Sequence, residues 1–174
     1  MRKLKNEELN RLSIENYKEA EKMPVVLVLD NIRSLNNIGS IFRTADAFRI
    51  KSIFLCGITA SPPHREIHKT ALGATESVDW EYFKSVEEAV EKLKSKQYQI
   101  LAIEQADNSI LLNLFQPKKR EKLALVFGNE VRGVEESIIG MADSCIEIPQ
   151  SGTKHSFNVS VSVGIVLWDI SLKL

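Results

Sequence analysis

Two apolar patterns alternate along the chain, and together they outline a fold. Residues 25–29 are an unbroken run of valine and leucine, preceded by Pro24 and ending at Asp30. A short run that is apolar at every position fits a strand buried on both faces of a parallel sheet. Residues 52–56, 99–103, 123–127 and 144–148 repeat that pattern and read as further strands. Between them, residues 37–48, 85–95 and 134–141 carry helical spacing; in the second, Val86, Ala89, Val90 and Leu93 fall on one face. Residues 5–22 read as an exposed N-terminal helix, with Leu9, Leu12 and Ile14 at loosely helical intervals and Pro24 ending it. Strands alternating with helices of this length imply right-handed crossovers and an α/β fold, a mostly parallel sheet with helices on both faces.

The last segment, residues 156–172, admits two readings. Val159, Val161 and Val163 alternate with Ser160 and Ser162, which is a strand signature. The length of the segment suits a helix, with Ser156 as its N-cap. Periodicity does not separate the two.

At 174 residues the chain suits one compact domain, read as residues 24–174 with an N-terminal helical extension over residues 1–23. No repeat, linker or low-complexity tract interrupts it. A hydrophobic fraction of 44% is ordinary for a globular protein and argues against disorder. No apolar run approaches the roughly 20 residues needed to span a bilayer. Residues 1–23 mix both charge signs and lack the apolar core of a signal peptide, so a cytoplasmic location without membrane attachment is expected. Cys56 and Cys145 adjoin apolar stretches and read as buried free thiols.

The formal net charge is zero, which disfavours gripping nucleic acid by bulk electrostatics but leaves room for local patches. Three candidates are Arg2-Lys3-Lys5, His64-Arg65 with His68-Lys69, and Lys118-Lys119-Arg120. Common nucleotide signatures are missing: no GxGxxG follows the first strand and no GxxxxGK[ST] occurs. Asp30 at a strand end has no second carboxylate beside it to hold Mg²⁺. His64 and His68 have no third ligand and read as surface histidines, so no metal is expected.

In an open parallel sheet, ligands bind beyond the carboxyl ends of the strands. Residues 30–43, 128–133 and 149–158 follow predicted strands and are rich in glycine, asparagine and serine. Overlapping the first is Asn37-Ile38-Gly39-Ser40-Ile41-Phe42-Arg43-Thr44-Ala45, the second is Gly128-Asn129-Glu130-Val131-Arg132-Gly133, and overlapping the third is Ile148-Pro149-Gln150-Ser151-Gly152-Thr153-Lys154-His155-Ser156-Phe157-Asn158-Val159-Ser160. In order, spacing and position these resemble the three motifs of the SpoU (TrmH-type) RNA 2′-O-ribose methyltransferases of the SPOUT superfamily. The resemblance covers residues 24–173, with Phe157 where a leucine is usual. Many relatives carry a separate N-terminal RNA-binding domain; with only residues 1–23 ahead of the matched region, none is expected here.

The resemblance implies more than the residues do. It makes the last segment a helix and the C-terminal region a deep trefoil knot, folding the second and third motifs into a cleft for S-adenosylmethionine. It implies a homodimer that completes the active site, with tRNA or rRNA as the partner methylated on a ribose 2′-hydroxyl. By motif, Gly128, Ile148, Phe157 and Asn158 line the cofactor site, and Asn37, Arg43, Glu130, Ser156 and Asn158 form the catalytic set. Arg43 faces the acceptor hydroxyl and is proposed in the family as the base, assisted by an RNA phosphate. A guanidinium resists deprotonation, so stabilising the incipient alkoxide and positioning the phosphate suit its chemistry better. Two rivals are a knotted RNA-binding module without catalysis and an unrelated α/β enzyme such as a phosphatase or nucleotide-binding regulator. The intact set from Asn37 to Asn158 weighs against the first.

Overall fold

A computed structural model describes residues 1–9 and 11–174. Among these, seven strands form one sheet: β1 (Met23–Asp30), β2 (Ile50–Cys56), β3 (Trp80–Phe83), β4 (Gln99–Ile103), β5 (Ile110–Leu111), β6 (Leu123–Phe127) and β7 (Ser144–Glu147). Their order across the sheet is β3-β2-β1-β6-β4-β7-β5, and every pairing is parallel. The helices are α1 (Ile14–Glu19), α2 (Leu35–Ala47), α3 (Arg65–Ala71), α4 (Ala74–Ser77), α5 (Val86–Ser95), α6 (Glu136–Met141) and α7 (Val159–Ser171).

The unbroken apolar run of β1 has a direct cause. Val25, Leu27 and Leu29 point into one core with Ile38, Ile41 and Phe42 of α2 and Val163, Val166 and Leu167 of α7. Val26 and Val28 point into a second core with Val86, Ala89, Val90 and Leu93 of α5 and Ile138 of α6. Helices therefore cover both faces, as the continuous pattern requires.

The C-terminal segment is a helix. Val159, Val163, Val166, Leu167 and Ile170 are buried, a 3.6-residue stripe, whereas Val161 lies on the outer face. In a strand, Val159, Val161 and Val163 would share a face. Here packing against α2 overrides the strand preference of β-branched residues. The N-cap is Asn158, not Ser156: the Asn158 side chain accepts from the Ser160 amide at 2.9 Å, supplying a partner that the first turn lacks.

The N-terminal helix read over residues 5–22 also needs correction. A 3₁₀ turn spans Asn6–Leu9, Asn10 lies outside the described residues, and a separate helix α1 begins at Ile14. Ser13 starts it by accepting from the Asn16 amide at 3.2 Å. Leu9, Leu12 and Ile14 are exposed; the anchoring side chain is Tyr17, which is buried. Helix α6 starts two residues later than its sequence pattern, and β7 ends one residue earlier.

Asp30 closes β1 and is 2% exposed. Burial, reinforced by the charges of Glu135 and Glu87, pushes its carboxyl up to about 6, although the Asn31 side chain donates to it at 2.8 Å. The folded protein thus holds this proton more tightly than the unfolded chain does. Stability falls as pH rises from about 4 to about 6, and above that window the ionised form costs the fold roughly 2–3 kcal/mol. Asp30→Asn should remove this slope and raise the melting temperature at pH 7. Urea titrations of both proteins at pH 4 and pH 7 measure it; equal pH dependence in the two would exclude Asp30 as the source.

Candidate active site at the carboxyl edge of the sheet

Because all strands run the same way, the loops that follow them gather at one edge, and hydrogen bonds tie three of them together. The first follows β1. Thr59, buried beyond β2, accepts from the Ile32 amide and donates to the Leu29 carbonyl, both at 3.0 Å. Asn31, at φ 54°, receives the Ile58 amide on its side chain at 3.0 Å. Its carbonyl accepts from the Asn129 side chain at 2.7 Å, joining the first loop to the second.

The second loop, after β6, folds back on itself. The Gly133 amide donates to the Asn129 carbonyl at 2.8 Å, and the Asn129 side chain accepts from Val131 and Arg132. A Cβ on Gly128 would lie 2.1 Å from Gly133 carbonyl atoms, so only glycine permits this fold. The missing side chain makes room for the loop's own backbone, while Gly128 itself remains on the cleft wall.

Glu130 projects from this loop to the start of α2. Its carboxylate accepts from the Arg33 amide at 3.1 Å, the Ser34 amide at 3.2 Å and the Asn37 side chain at 3.2 Å. Desolvation is the largest single influence and pushes the carboxyl up, but these hydrogen bonds together outweigh it and hold Glu130 below the usual carboxylate range. The positive end of the α2 dipole favours a carboxylate here as well.

The third loop closes the set. Asn158 donates to the Asn37 side-chain oxygen at 3.1 Å. Asn37, Glu130 and Asn158, far apart in sequence, thus form one chain of hydrogen bonds. The segment after β4, which sequence reasoning passed over, braces this arrangement from behind. Glu104 accepts from the Val134 amide at 2.9 Å, and Gln105 donates to the His155 carbonyl at 2.9 Å. A carboxylate-amide pair directly after the strand at Ile103 was the available signal.

The second and third loops and the segment after β4 enclose an open cleft of about 760 Å³ whose walls include Gly128, Glu130, Ile148, Ser156, Phe157 and Asn158, while Asn37 stands behind Glu130 and Asn158, off the wall. Ile148 is half-buried and packs on the core, whereas Phe157 stands exposed at the wall. Each cofactor-site residue read from the sequence lies here. Arg43 does not. It follows Asn37 by six residues of α2, about 9 Å along the axis and 120° around it. Arg43 is exposed and lines a second cavity, with α1, α3 and α4. The basic patches also separate: Arg2 is paired with Glu8 at 2.6 Å, and Lys118-Lys119-Arg120 precedes β6, at the opposite edge of the sheet. His64 accepts from the Glu66 amide as the N-cap of α3.

A parallel α/β sheet whose post-strand loops interlock over a polar cleft defines a ligand-binding α/β protein of the switch-point type. Comparison with known proteins specifies it further. The SpoU rRNA methylase family model matches residues 24–168, and the chain belongs to that family. It is 31% identical over 155 residues to a tRNA (guanosine(18)-2′-O)-methyltransferase of Aquifex aeolicus, covering 87% of this chain and 70% of that protein. It is 28% identical over 150 residues to a protein of the same name from Borreliella burgdorferi, covering 86% and 67%. The fold superposes on a TrmH/SpoU tRNA modifying enzyme of A. aeolicus with a TM-score of 0.80 at 24% identity, covering 92% of this chain and 81% of that one. An AdoMet-bound rRNA methyltransferase from Sinorhizobium meliloti gives 0.79 at 24% identity, covering 88% and 58%. The chain thus spans about two thirds of its curated relatives and just over half of the S. meliloti protein.

Proposed function

We propose that this protein transfers a methyl group from S-adenosylmethionine to a ribose 2′-hydroxyl of tRNA or rRNA. The observation that carries the reading is the Asn37–Glu130–Asn158 network, which ties two residues of the cleft wall to the start of α2 in a chain of the SpoU family. The cleft residues fit the cofactor. Its volume is in the range of small-molecule sites, Ile148 and Phe157 offer apolar surface to an adenine, and the folded-back loops offer backbone groups to its edge. When bound, S-adenosylmethionine supplies an electrophilic methyl on a sulfonium sulfur.

The protein's own task is to position and stabilise. Glu130 fixes Asn37, Asn37 fixes Asn158, and this rigid set orders the acceptor side of the cleft without moving during reaction. Ser156 contributes to the wall beside them. Arg43 stabilises negative charge developing on the acceptor oxygen and holds the neighbouring phosphate.

Arg43 reaches a cleft across a homodimer. The outer face of α7 supports this assembly: Val161, Trp168 and Leu172 form an exposed apolar stripe, and Leu114 adds to the exposed apolar surface. A monomer rarely leaves such a face bare. The strand order, with β6 inserted between β1 and β4, and the return of α7 onto α2 accord with a C-terminal trefoil knot in a single methyltransferase domain over residues 24–174. No helix among the described residues is long and apolar enough to cross a membrane; the cytoplasmic location proposed here rests instead on the RNA substrate.

Two measurements test the function. Tritium from methyl-labelled cofactor should pass to total RNA, and calorimetry should detect S-adenosylhomocysteine binding. Binding without transfer to any cellular RNA would favour a non-catalytic knotted module; no binding at all would favour an unrelated α/β protein.

A further inference from the structure

The second cavity, about 1070 Å³, is lined by the N-terminal segment on one side and by α2, α3 and α4 on the other. Three arginines face it: Arg11 from the segment before α1, and Arg43 and Arg49 from α2 and the turn that follows it. Among the described residues Asp46 is the one lining carboxylate, and that group already accepts a hydrogen bond from Ser77. Among the described residues none of the three arginines is in a salt bridge. A chain of zero net charge thus concentrates unpaired guanidinium groups in a single recess.

The backbone adds an independent observation. Arg49 has φ 45° and Leu72 has φ 49°, the left-handed region that disfavours side chains and usually takes glycine after a helix. Both residues line this cavity, and Leu72 is left exposed there. Strain retained at two walls of one recess is the pattern of a functional site. Tyr17, also on the wall, carries a buried hydroxyl without a hydrogen-bond partner.

The geometry points to this cavity as the site that holds the RNA strand flanking the acceptor ribose, with Arg11 and Arg49 joining Arg43 on its phosphodiesters and Leu12 and Leu72 flanking a base. The inference rests on the proposed methyltransferase function and assigns the N-terminal segment, which lies outside the family match, to substrate binding. Guanidinium forks suit phosphate oxygens, and the cavity has room for a nucleotide.

The test uses the full chain and a fluorescein-labelled, unmodified tRNA transcript, since phosphate contacts do not depend on sequence. Arg11→Gln with Arg49→Gln should weaken binding at least tenfold and flatten the log–log salt dependence by about 1.5. S-adenosylhomocysteine affinity, read in the other cleft, should stay unchanged. Arg49→Gly gives an opposed pair of readouts: melting temperature up by roughly 2–4 °C as the left-handed strain is relieved, and RNA affinity down. Unchanged affinity and salt slope in folded variants would overturn the assignment. So would a loss of binding that tracks dissociation into monomers, because the cavity would then be a subunit contact. If wild-type protein binds RNA through these arginines yet transfers no methyl, the catalytic reading fails and this site stands. If methyl transfer is intact and the arginines are dispensable, the reverse holds.

Discussion

Arg43→Ala should lower methyl transfer about 10²–10³-fold, the loss typical of removing one preorganised donor from a developing oxyanion. S-adenosylhomocysteine affinity should hardly change, because Arg43 lies outside the cleft that Gly128, Ile148 and Phe157 line. Arg43→Lys keeps the charge but loses the planar fork, so it should recover little. A near-wild-type lysine variant would show that a point charge suffices. The position of Arg43 also makes a sharper test possible. If Arg43 serves the partner's cleft, an Arg43→Ala chain mixed with a Glu130→Gln chain rebuilds one complete site per mixed dimer, returning roughly a quarter of wild-type activity at random assortment. If Arg43 serves its own cleft, each mixed dimer contains two damaged sites and nothing returns. Verified mixed dimers without recovery would refute action across the interface.

The parts of the fold legible in the sequence were those with redundant signals. β1, β4 and β6 are buried on both faces, so every position reports the same state, and α5 buries a clean stripe from Val86 to Leu93. The elements that escaped lack such signals. In β3, an edge strand, Trp80, Glu81 and Tyr82 are all exposed; α3 is seven residues long and buries only Ile67 and Ala71. The α7 ambiguity was genuine, since a valine-serine alternation carries both periods until α2 and the sheet choose one. For the site, the loops after strands β1, β6 and β7 were visible as clusters of glycine, asparagine and serine. That Asn37, Glu130 and Asn158 meet was legible only through the family resemblance, because nothing local encodes a contact between residues more than ninety positions apart. The separation of Arg43 from them was equally hidden, although six residues along a helix already turn a side chain away from its predecessor.

Glu130→Gln should be nearly as damaging as the loss of Arg43, at about 10²-fold in kcat/KM, for a different reason. The carboxylate offers acceptors to three donors: the Arg33 and Ser34 amides and the Asn37 side chain. A glutamine has one acceptor oxygen, and its amide nitrogen would confront a donor, so at least one hydrogen bond becomes a repulsive contact. Asn37 is then free to rotate, and Asn158, whose side chain donates to it, loses its orientation as well. Misplacement of this order in a reacting geometry costs about two powers of ten. Stability should move little, since Glu130 is exposed and solvent can take over its contacts. The same logic fixes a pH signature. A carboxyl held below its ordinary value keeps the network intact above about pH 4.5, and the network is lost as pH falls through the lowered folded value. S-adenosylhomocysteine binding by wild type should therefore weaken on that acid limb, while Glu130→Gln, weaker throughout, should show no such limb. Identical acid limbs in the two proteins would mean that Glu130 does not hold the cleft together.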